Sequence, residues 1–399
     1  MIEKIRLGDK IEFQRGYDLT HENMRDGQYP VVGSTSIIGW HDEYKAEDGI
    51  TLGRSGTVGI PQLINGKYWP HNTSLFTTDL KGNDREYLYY LLINLHIDKM
   101  KTGSNIPTLN RNDIYPLEVP FETDVQEQKK ISYILSSLDS KINNNNAICS
   151  DLEGMAKLLY DYWFVQFDFP DENGKPYKSS GGKMVWNDEL KREIPAGWEV
   201  KPLGDFISVV RGISYKPSDE LKCADENSVL LLKSNNIQNG VVNFEQPVIL
   251  PWNLADDEQW LTKGSVFITM SSGSKAHMGK TAIIYKNLPY VFGAFCAKID
   301  IKNAVRCFVS TYLRSDWFRV YIENVTAGTS INNISNEQLT SIMIPVPDYK
   351  ILREFEVRMR DAFDRQGEII EENQQLASLR DFLLPMLMNG QVKIKNDEA

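Results

Sequence analysis

Two short stretches carry residue types that could do chemistry. Asn287-Leu288-Pro289-Tyr290 has the form of the N-x-P-Y box with which adenine methyltransferases hold the target amino group. That chemistry also needs a glycine-rich loop after a strand to hold S-adenosylmethionine, and the sequence has no E/D-x-G-x-G run. Pro170-Asp171 followed by Glu189-Leu190-Lys191 imitates a P-D…E-x-K nuclease signature, whose carboxylates share a Mg²⁺ ion from adjoining strands. Here they flank a polar stretch read as lacking strand-forming runs, so a solvated linker is expected. No Walker A sequence is present to cradle ATP. The cysteines (Cys149, Cys223, Cys296 and Cys307) are scattered, with no pair at metal-ligand spacing. They predict reduced, mostly buried thiols and no zinc site. No catalytic and no metal-binding residue is assigned.

Binding chemistry is better represented. Three polar loops in each half of the chain could meet nucleic acid. The first holds Arg15-Gly16 or Arg211-Gly212. The second is Arg54-Ser55-Gly56-Thr57, matched by Ser271-Ser272-Gly273-Ser274-Lys275 with Lys280 nearby. The third runs from Lys101 through Ser104, Asn105 and Asn110 to Arg111, and its partner from Thr326 through Thr329, Ser330 and Asn332 to Asn333. Glycine beside Ser or Thr lets backbone approach a phosphate, while Arg, Lys and Asn can read base edges. For any one loop a solvated turn is the favoured reading; the recurrence of the loops in both halves argues for a shared task. His71-Asn72 near Trp69, and His277 near Lys275, are further candidate base contacts, although lone histidines are more often structural.

The elements that must position these loops are duplicated. Leu7-Gly8-Asp9 with Gln14-Arg15-Gly16 returns as Leu203-Gly204-Asp205 with Val210-Arg211-Gly212, and the offset is 196 residues. Thr102 to Ile106 with Leu109-Asn110 returns as Ala327 to Ile331 with Ile334-Ser335, and there the offset is 225. The second unit therefore carries about 29 more residues, expected in loops. Each copy leads into a short strand with proline, Leu117 to Pro120 and Ile342 to Pro347, and then into a long amphipathic run. In the first run Ile131, Ile134/Leu135, Leu138, Ile142, Cys149, Leu152, Met155, Leu159 and Trp163 recur at steps of three and four. In the second Leu352, Phe355, Met359, Phe363, Ile370, Leu376, Leu379, Leu383 and Leu387 do so. This is the seam of a coiled coil, and two such stripes most simply pack on each other. Asn143 to Asn146, Gln366 and Asn373 interrupt the seams. They either fix register or stand solvated at a helix break.

Short β-rich runs, such as Ser74 to Thr77 and Ser265 to Thr269, alternate with Gly-rich turns and precede the helical stretches Tyr87 to Ile97 and Phe308 to Ile322. The fold class is α+β: two similar, mostly antiparallel units with helices, joined by two long antiparallel coiled-coil helices in a pseudo-twofold repeat. The expected boundaries are 1–120, a first spacer helix 121–168, a polar linker 169–197, a second unit 198–347, a second spacer helix 348–391 and a tail 392–399. Packing of the spacer helices is assigned to Ile131, Leu135, Leu138, Ile142, Leu152, Leu159, Phe355, Met359, Phe363, Ile370, Leu376 and Leu383.

The formal net charge of −10 taken alone argues against DNA binding, but its distribution matters. The first helical stretch, residues 119–168, has 4 basic and 8 acidic residues, whereas residues 199–347 balance at 14 and 14. An acidic total does not exclude a local basic face, because counterion release depends on the few side chains that reach phosphates. It does imply weak non-specific binding by the chain alone. No apolar run approaches the roughly 20 residues that span a bilayer, and no secretory leader is read at Met1 to Asp9, so a cytoplasmic protein is expected.

The order of these elements resembles the specificity subunit of bacterial Type I restriction–modification enzymes. The residues that carry the resemblance are Thr102 to Asn110 with Asp113-Ile114, the Arg54-Ser55-Gly56-Thr57-Val58-Gly59 turn, and Ile194-Pro195-Ala196-Gly197-Trp198-Glu199-Val200 followed by Leu203-Gly204. It extends from Leu7 to Val392. The second copy departs from the pattern, with Asn332-Asn333-Ile334-Ser335 replacing the Ile-Pro-x-Leu-Asn form. The resemblance implies two target-recognition domains, each reading one half of a bipartite, asymmetric double-stranded DNA site. It also implies a helical rod that sets the gap and docks two modification (methyltransferase) subunits, with restriction (motor-nuclease) subunits joining later. S-adenosylmethionine, ATP and Mg²⁺ would then belong to the partner subunits, and this chain would hold no cofactor. The alternatives are a specificity subunit of a Type IIB-like methylase–nuclease assembly, or a coiled-coil scaffold without sequence-specific DNA binding.

Overall fold

The computed structural model describes residues 2–99, 108–326 and 332–394. The chain divides into two compact units: unit 1 is Met1–Asn145 with Glu372–Ala399, and unit 2 is Asn146–Glu371. The division falls inside the long helices, at the polar part of each seam, and not at the glycine- and serine-rich stretch near residue 180.

Unit 1 is closed by the antiparallel pair Ile2–Arg6 with Glu118–Glu122. Its main sheet has the strand order Glu12–Arg15, Ser74–Asp79, Ile50–Gly53, Pro61–Leu63. A second sheet places Tyr29–Val32 antiparallel to Ile37–His41 and parallel to Lys67–Pro70. The helix Arg85–Asn94 starts where the Asp84 side chain accepts the Tyr87 N–H, and buries Tyr87, Leu88, Leu91 and Leu92 in the core of Ile50 and Leu52.

Unit 2 repeats this plan. Glu199–Pro202 pairs antiparallel with Met343–Val346. The main sheet runs Ile207–Arg211, Cys296–Ile301, Val266–Thr269, Thr281–Ile283. In its second sheet Ser228–Leu232 lies antiparallel to Val248–Pro251 and parallel to Tyr290–Phe292. Even the isolated parallel bridges correspond, Tyr17 to His71 in one unit and Ile213 to Gly293 in the other. Apart from a fourth strand, Ala46–Glu47, in the second sheet of unit 1, strand order and direction are the same, so the sequence duplication is a duplication of fold.

The long helices are Val125–Tyr160, extended by a π-helical turn Asp161–Val165, and Tyr349–Met388. Each unit contains a segment of both. In unit 1, Ile131 and Leu135 share a core with Leu384, Leu387 and Met388, and Arg380 holds Asp139 at 2.7 Å. The Asn145 amide donates to Glu372 at 2.8 Å and Asn373 at 2.9 Å. In unit 2, Gln366 donates to the Cys149 carbonyl at 3.2 Å and accepts from the Tyr285 hydroxyl at 3.0 Å. There Phe355 packs on Tyr160, Trp163 and Phe164. Within each unit, rising numbers on one helix meet falling numbers on the other, so the segments are antiparallel. Of the two readings of the seam's polar residues, Asn145 and Gln366 follow the first, being buried and hydrogen-bonded, while Asn143 and Asn144 are exposed.

Two expectations change. Met155 and Leu379, read as seam residues, are 57% and 46% exposed. At 3.6 residues per turn the buried line drifts from a strict heptad, so that Leu152 is followed by Ala156 and Tyr160, and Arg380 takes the place read for Leu379. Residues 169–197 are also not a strandless, solvated linker. Met184–Asn187 and Arg192–Pro195 form a hairpin, and Phe169, Ile194 and Trp198 are buried in the core of unit 2. A few apolar anchors hold this otherwise polar stretch down. Among the described residues no helix is long and apolar enough to cross a membrane.

Candidate nucleic-acid interface

In unit 1 the predicted loops converge on one place. Arg15 ends the first strand of the main sheet, and Gly16 follows because the chain there touches its neighbour: a Cβ at Gly16 would lie 2.0 Å from the His71 carbonyl oxygen. Arg54 is pinned on both sides, its N–H donating to Thr73 O at 2.8 Å and its carbonyl accepting from Leu109 N at 2.8 Å. Arg111 opens the short helix Arg111–Ile114, capped by Asn110, whose side chain accepts from Asn112 N and whose N–H donates to Asp113. Together Gln14, Arg15, Tyr17, Asp18, Arg54 and Asn110 to Asn112 line an open cleft of about 560 Å³. Three guanidinium groups thus share one concave, solvent-facing surface.

Their commitments differ. Arg15 meets Asp18 at 3.3 Å, an exposed pair worth little and easily exchanged. Arg111 spends one nitrogen on the Phe13 carbonyl at 3.0 Å. The Arg54 guanidinium has no partner among the described residues, although its backbone is fixed. A rigidly mounted, unpaired arginine in a cationic cleft suits bidentate recognition of a guanine edge or a phosphate. Ser55 is held mainly through its backbone, which bridges Thr108, and Thr57 is exposed. Lys101, Ser104 and Asn105 lie outside the described residues.

His71 has a structural job. Its Nε2–H donates to Leu19 O at 3.1 Å, which leaves Nδ1 to accept from the Thr73 hydroxyl at 2.9 Å. Burial lowers its pKa, so the neutral ring is favoured. Asn72 beside it donates to Asp18.

The matching surface of unit 2 is built from different side chains. A Cβ at Gly212 would lie 2.3 Å from Gly293 O, the same close approach as at Gly16. Arg211, however, turns inward, donating to Asn336 Oδ1 at 2.9 Å and to Ile334 O. The equivalent of Arg54 is Met270 rather than a residue of the 271–275 loop. Met270 N and Ser271 N both donate to Phe295 O, as Arg54 N and Ser55 N both donate to Thr73 O. Met270 is fully buried. Asn336, at the position of Arg111, donates to Val209 O as Arg111 does to Phe13 O. Ser271–Ser272 pairs with Asn332–Asn333, and Ser274, Lys275 and Asn333 are exposed with Lys280 half-buried. Thr329 and Ser330 lie outside the described residues, as does the side chain of Asn332. Sequence reasoning missed Asp18, which lines the cleft beside Arg15, and Met270 and Phe295, which aligning the repeats by their carbonyl acceptors reveals.

The two enzyme-like stretches also have other roles. Asn287 Oδ1 accepts from Lys263 N at 2.9 Å, and Tyr290 stacks on Phe244 in the strand it opens. The Asp171 carboxylate accepts from Asn173 N and Lys175 N in a tight turn, while Lys191 sits at φ 49° in a hairpin loop. Among the described residues no cluster of three or more His, Cys, Asp or Glu side chains could hold a metal ion. Cys296 and Cys307 are buried, Cys149 is half-buried and Cys223 is exposed.

The profile of the Type I restriction modification DNA specificity domain matches residues 2–153 and 195–379, one stretch per repeat. This chain belongs to that family. Among members of the Type I specificity family, it is 28% identical over 321 residues to the MjaIX specificity subunit of Methanocaldococcus jannaschii, covering 78% of this chain and 69% of that one. It is 29% identical over 210 residues to the EcoKI specificity subunit of Escherichia coli, an alignment spanning 51% of this chain and just under half, 45%, of the relative. The crystal structure of a Type I restriction–modification S subunit from M. genitalium shares the fold, with a TM-score of 0.60 over 97% of this chain and 96% of that chain at 18% identity. As a Type I specificity chain, the protein has DNA sequence specificity as its role.

Proposed function

We propose that each unit reads one half of a split double-stranded DNA site, that the two halves differ in sequence, and that the chain supplies no chemistry itself. The observation that carries this reading is a single fold built twice with different side chains at equivalent places. Arg15, Arg54 and Arg111 stand in unit 1 where unit 2 has an inward Arg211, a buried Met270 and Asn336. The long helices set the gap between the half-sites. Adenine methylation with S-adenosylmethionine, and ATP- and Mg²⁺-dependent cleavage, fall to modification and restriction subunits that join this chain in the cytoplasm.

A second repetition supports two copies of one partner. Counting from the helix starts Val125 and Tyr349, Met155 and Leu158 occupy the same positions as Leu379 and Phe382. All four are exposed, at 57%, 70%, 46% and 59%. An apolar pair kept in water at the same place in both units marks a protein-docking patch present twice. Co-purified with its modification subunits, the chain should methylate one split DNA sequence, and alone it should methylate none. Leu158→Asp or Phe382→Asp should each remove one bound modification subunit, measured by native mass, without lowering the melting temperature. Methylation by the chain alone, or full assembly of the double variant, would contradict the reading.

A further inference from the structure

We propose that Phe295 is the apolar base-reading residue of unit 2 and selects a thymine in the second half-site. This rests on the reading of unit 2 as a DNA-reading unit.

The residue is unusual in its mounting. Phe295 is 68% exposed, yet the turn that carries it is tied down by several backbone hydrogen bonds. Gly293 N donates to Leu232 O at 2.9 Å, Ala294 N to Ile213 O at 2.9 Å, and Cys296 N to Gly293 O at 2.8 Å. Phe295 O itself accepts from Met270 N at 2.8 Å and Ser271 N at 3.0 Å. Main-chain bonds thus hold the residues on both sides of Phe295, and its side chain stands exposed above them.

Its place in the fold says what it faces. Thr73 is the same position in unit 1, since its carbonyl takes the Arg54 and Ser55 N–H groups, and Arg54 lines the cleft of the three arginines. The matching surface of unit 2 has lost the cation at Met270 and turned Arg211 inward, and the exposed ring stands there instead. Beside it, Ser271 pairs with the exposed Asn333, which supplies polar neighbours for adjacent bases. In the major groove the apolar group offered by a base edge is the thymine 5-methyl. Apart from the small C5–H of cytosine and C8–H of the purines, the other groups on that edge are donors or acceptors that a phenyl ring would strip of water without replacing the hydrogen bond. An exposed phenylalanine on this surface therefore favours thymine over the other bases.

The test uses the chain assembled with its modification subunits and the split site found by methylome sequencing. Each thymine of the second half is replaced singly by deoxyuridine, which removes only the methyl group. At one position the wild-type complex should bind about fourfold more weakly, the worth of one buried methyl group. The Phe295→Ala complex should bind the thymine and deoxyuridine duplexes equally at that position. Phe295→Leu, which keeps an apolar side chain, should retain part of the difference. An unchanged melting temperature and intact reading of the first half-site show that Phe295→Ala is folded. A second half without thymine, no deoxyuridine effect in wild type, or the same effect in Phe295→Ala would overturn the assignment while leaving two-unit reading intact. Failure of the wild-type complex to prefer any split sequence would instead overturn the underlying reading, and this inference with it.

Discussion

Arg54→Ala should weaken binding of the assembled complex to its full site by roughly 10- to 100-fold, the range expected for loss of one bidentate arginine contact. The reason lies in how the residue is held. Its peptide is tied to Thr73 and Leu109, and its guanidinium has no partner among the described residues, so truncation removes the proposed DNA contact without breaking an internal one. Arg54→Lys should recover little, because an ammonium group cannot reproduce a two-pronged contact. The loss should map to the first half-site: base changes there should become nearly silent in the Arg54→Ala complex, while changes in the second half keep their full effect. Arg111→Ala would be harder to interpret, because that side chain also fastens the Phe13 carbonyl. Binding titrations on duplexes altered in one half at a time make the measurement. Equal loss for both halves, or none, would remove Arg54 from the reading surface.

Phe355→Ala should cost unit 2 about 3–5 kcal/mol, the usual range for truncating a fully buried phenylalanine. Phe355 is 0% exposed and meets Phe164 at 4.9 Å, Trp163 at 5.9 Å and Tyr160 at 6.2 Å between ring centroids. These three residues come from the first long helix and its π-helical end, so the substitution empties the joint between the two helices where unit 2 holds them. For a unit of this size the melting temperature should fall by roughly 6–20 °C. Calorimetry should show the unit 2 transition moving while that of unit 1 stays in place. A fall of under 2 °C would mean that this aromatic cluster does not secure the helix pair.

The duplication was readable in the sequence because it is tied to steric demands. Gly16 and Gly212 recur since any side chain there would collide with the carbonyl oxygen of His71 or Gly293. Leu7 and Leu203 recur since both are wholly buried beside the closing strand pair. The amphipathic helices were legible for the same reason, their apolar steps being those of packed faces. What escaped notice depended on long-range pairing. The polar stretch 169–197 hides its hairpin because a few residues, Phe169, Ile194 and Trp198, anchor it. Single steps of each seam slip out of phase, so Met155 and Leu379 face outward although Leu159, Trp163, Leu383 and Leu387 pack as read. Between the first and last repeated motifs the offset changes, and the insertions blur which loop residues correspond. Only the shared acceptors Thr73 O and Phe295 O reveal that Arg54 is matched by Met270. The loops that meet at the unit 1 cleft were thus legible in the sequence, while the asymmetry between the two units required the hydrogen bonds.

The most direct test of two independent readers is a methylome. Residues 203–342, the segment between the closing strands of unit 2, would be exchanged for the same segment of a relative with a different target, and the methylated sequence of the host read by single-molecule sequencing. One half of the motif should change to the donor's, with the other half and the gap kept. A motif altered in both halves, or in neither, would contradict the account.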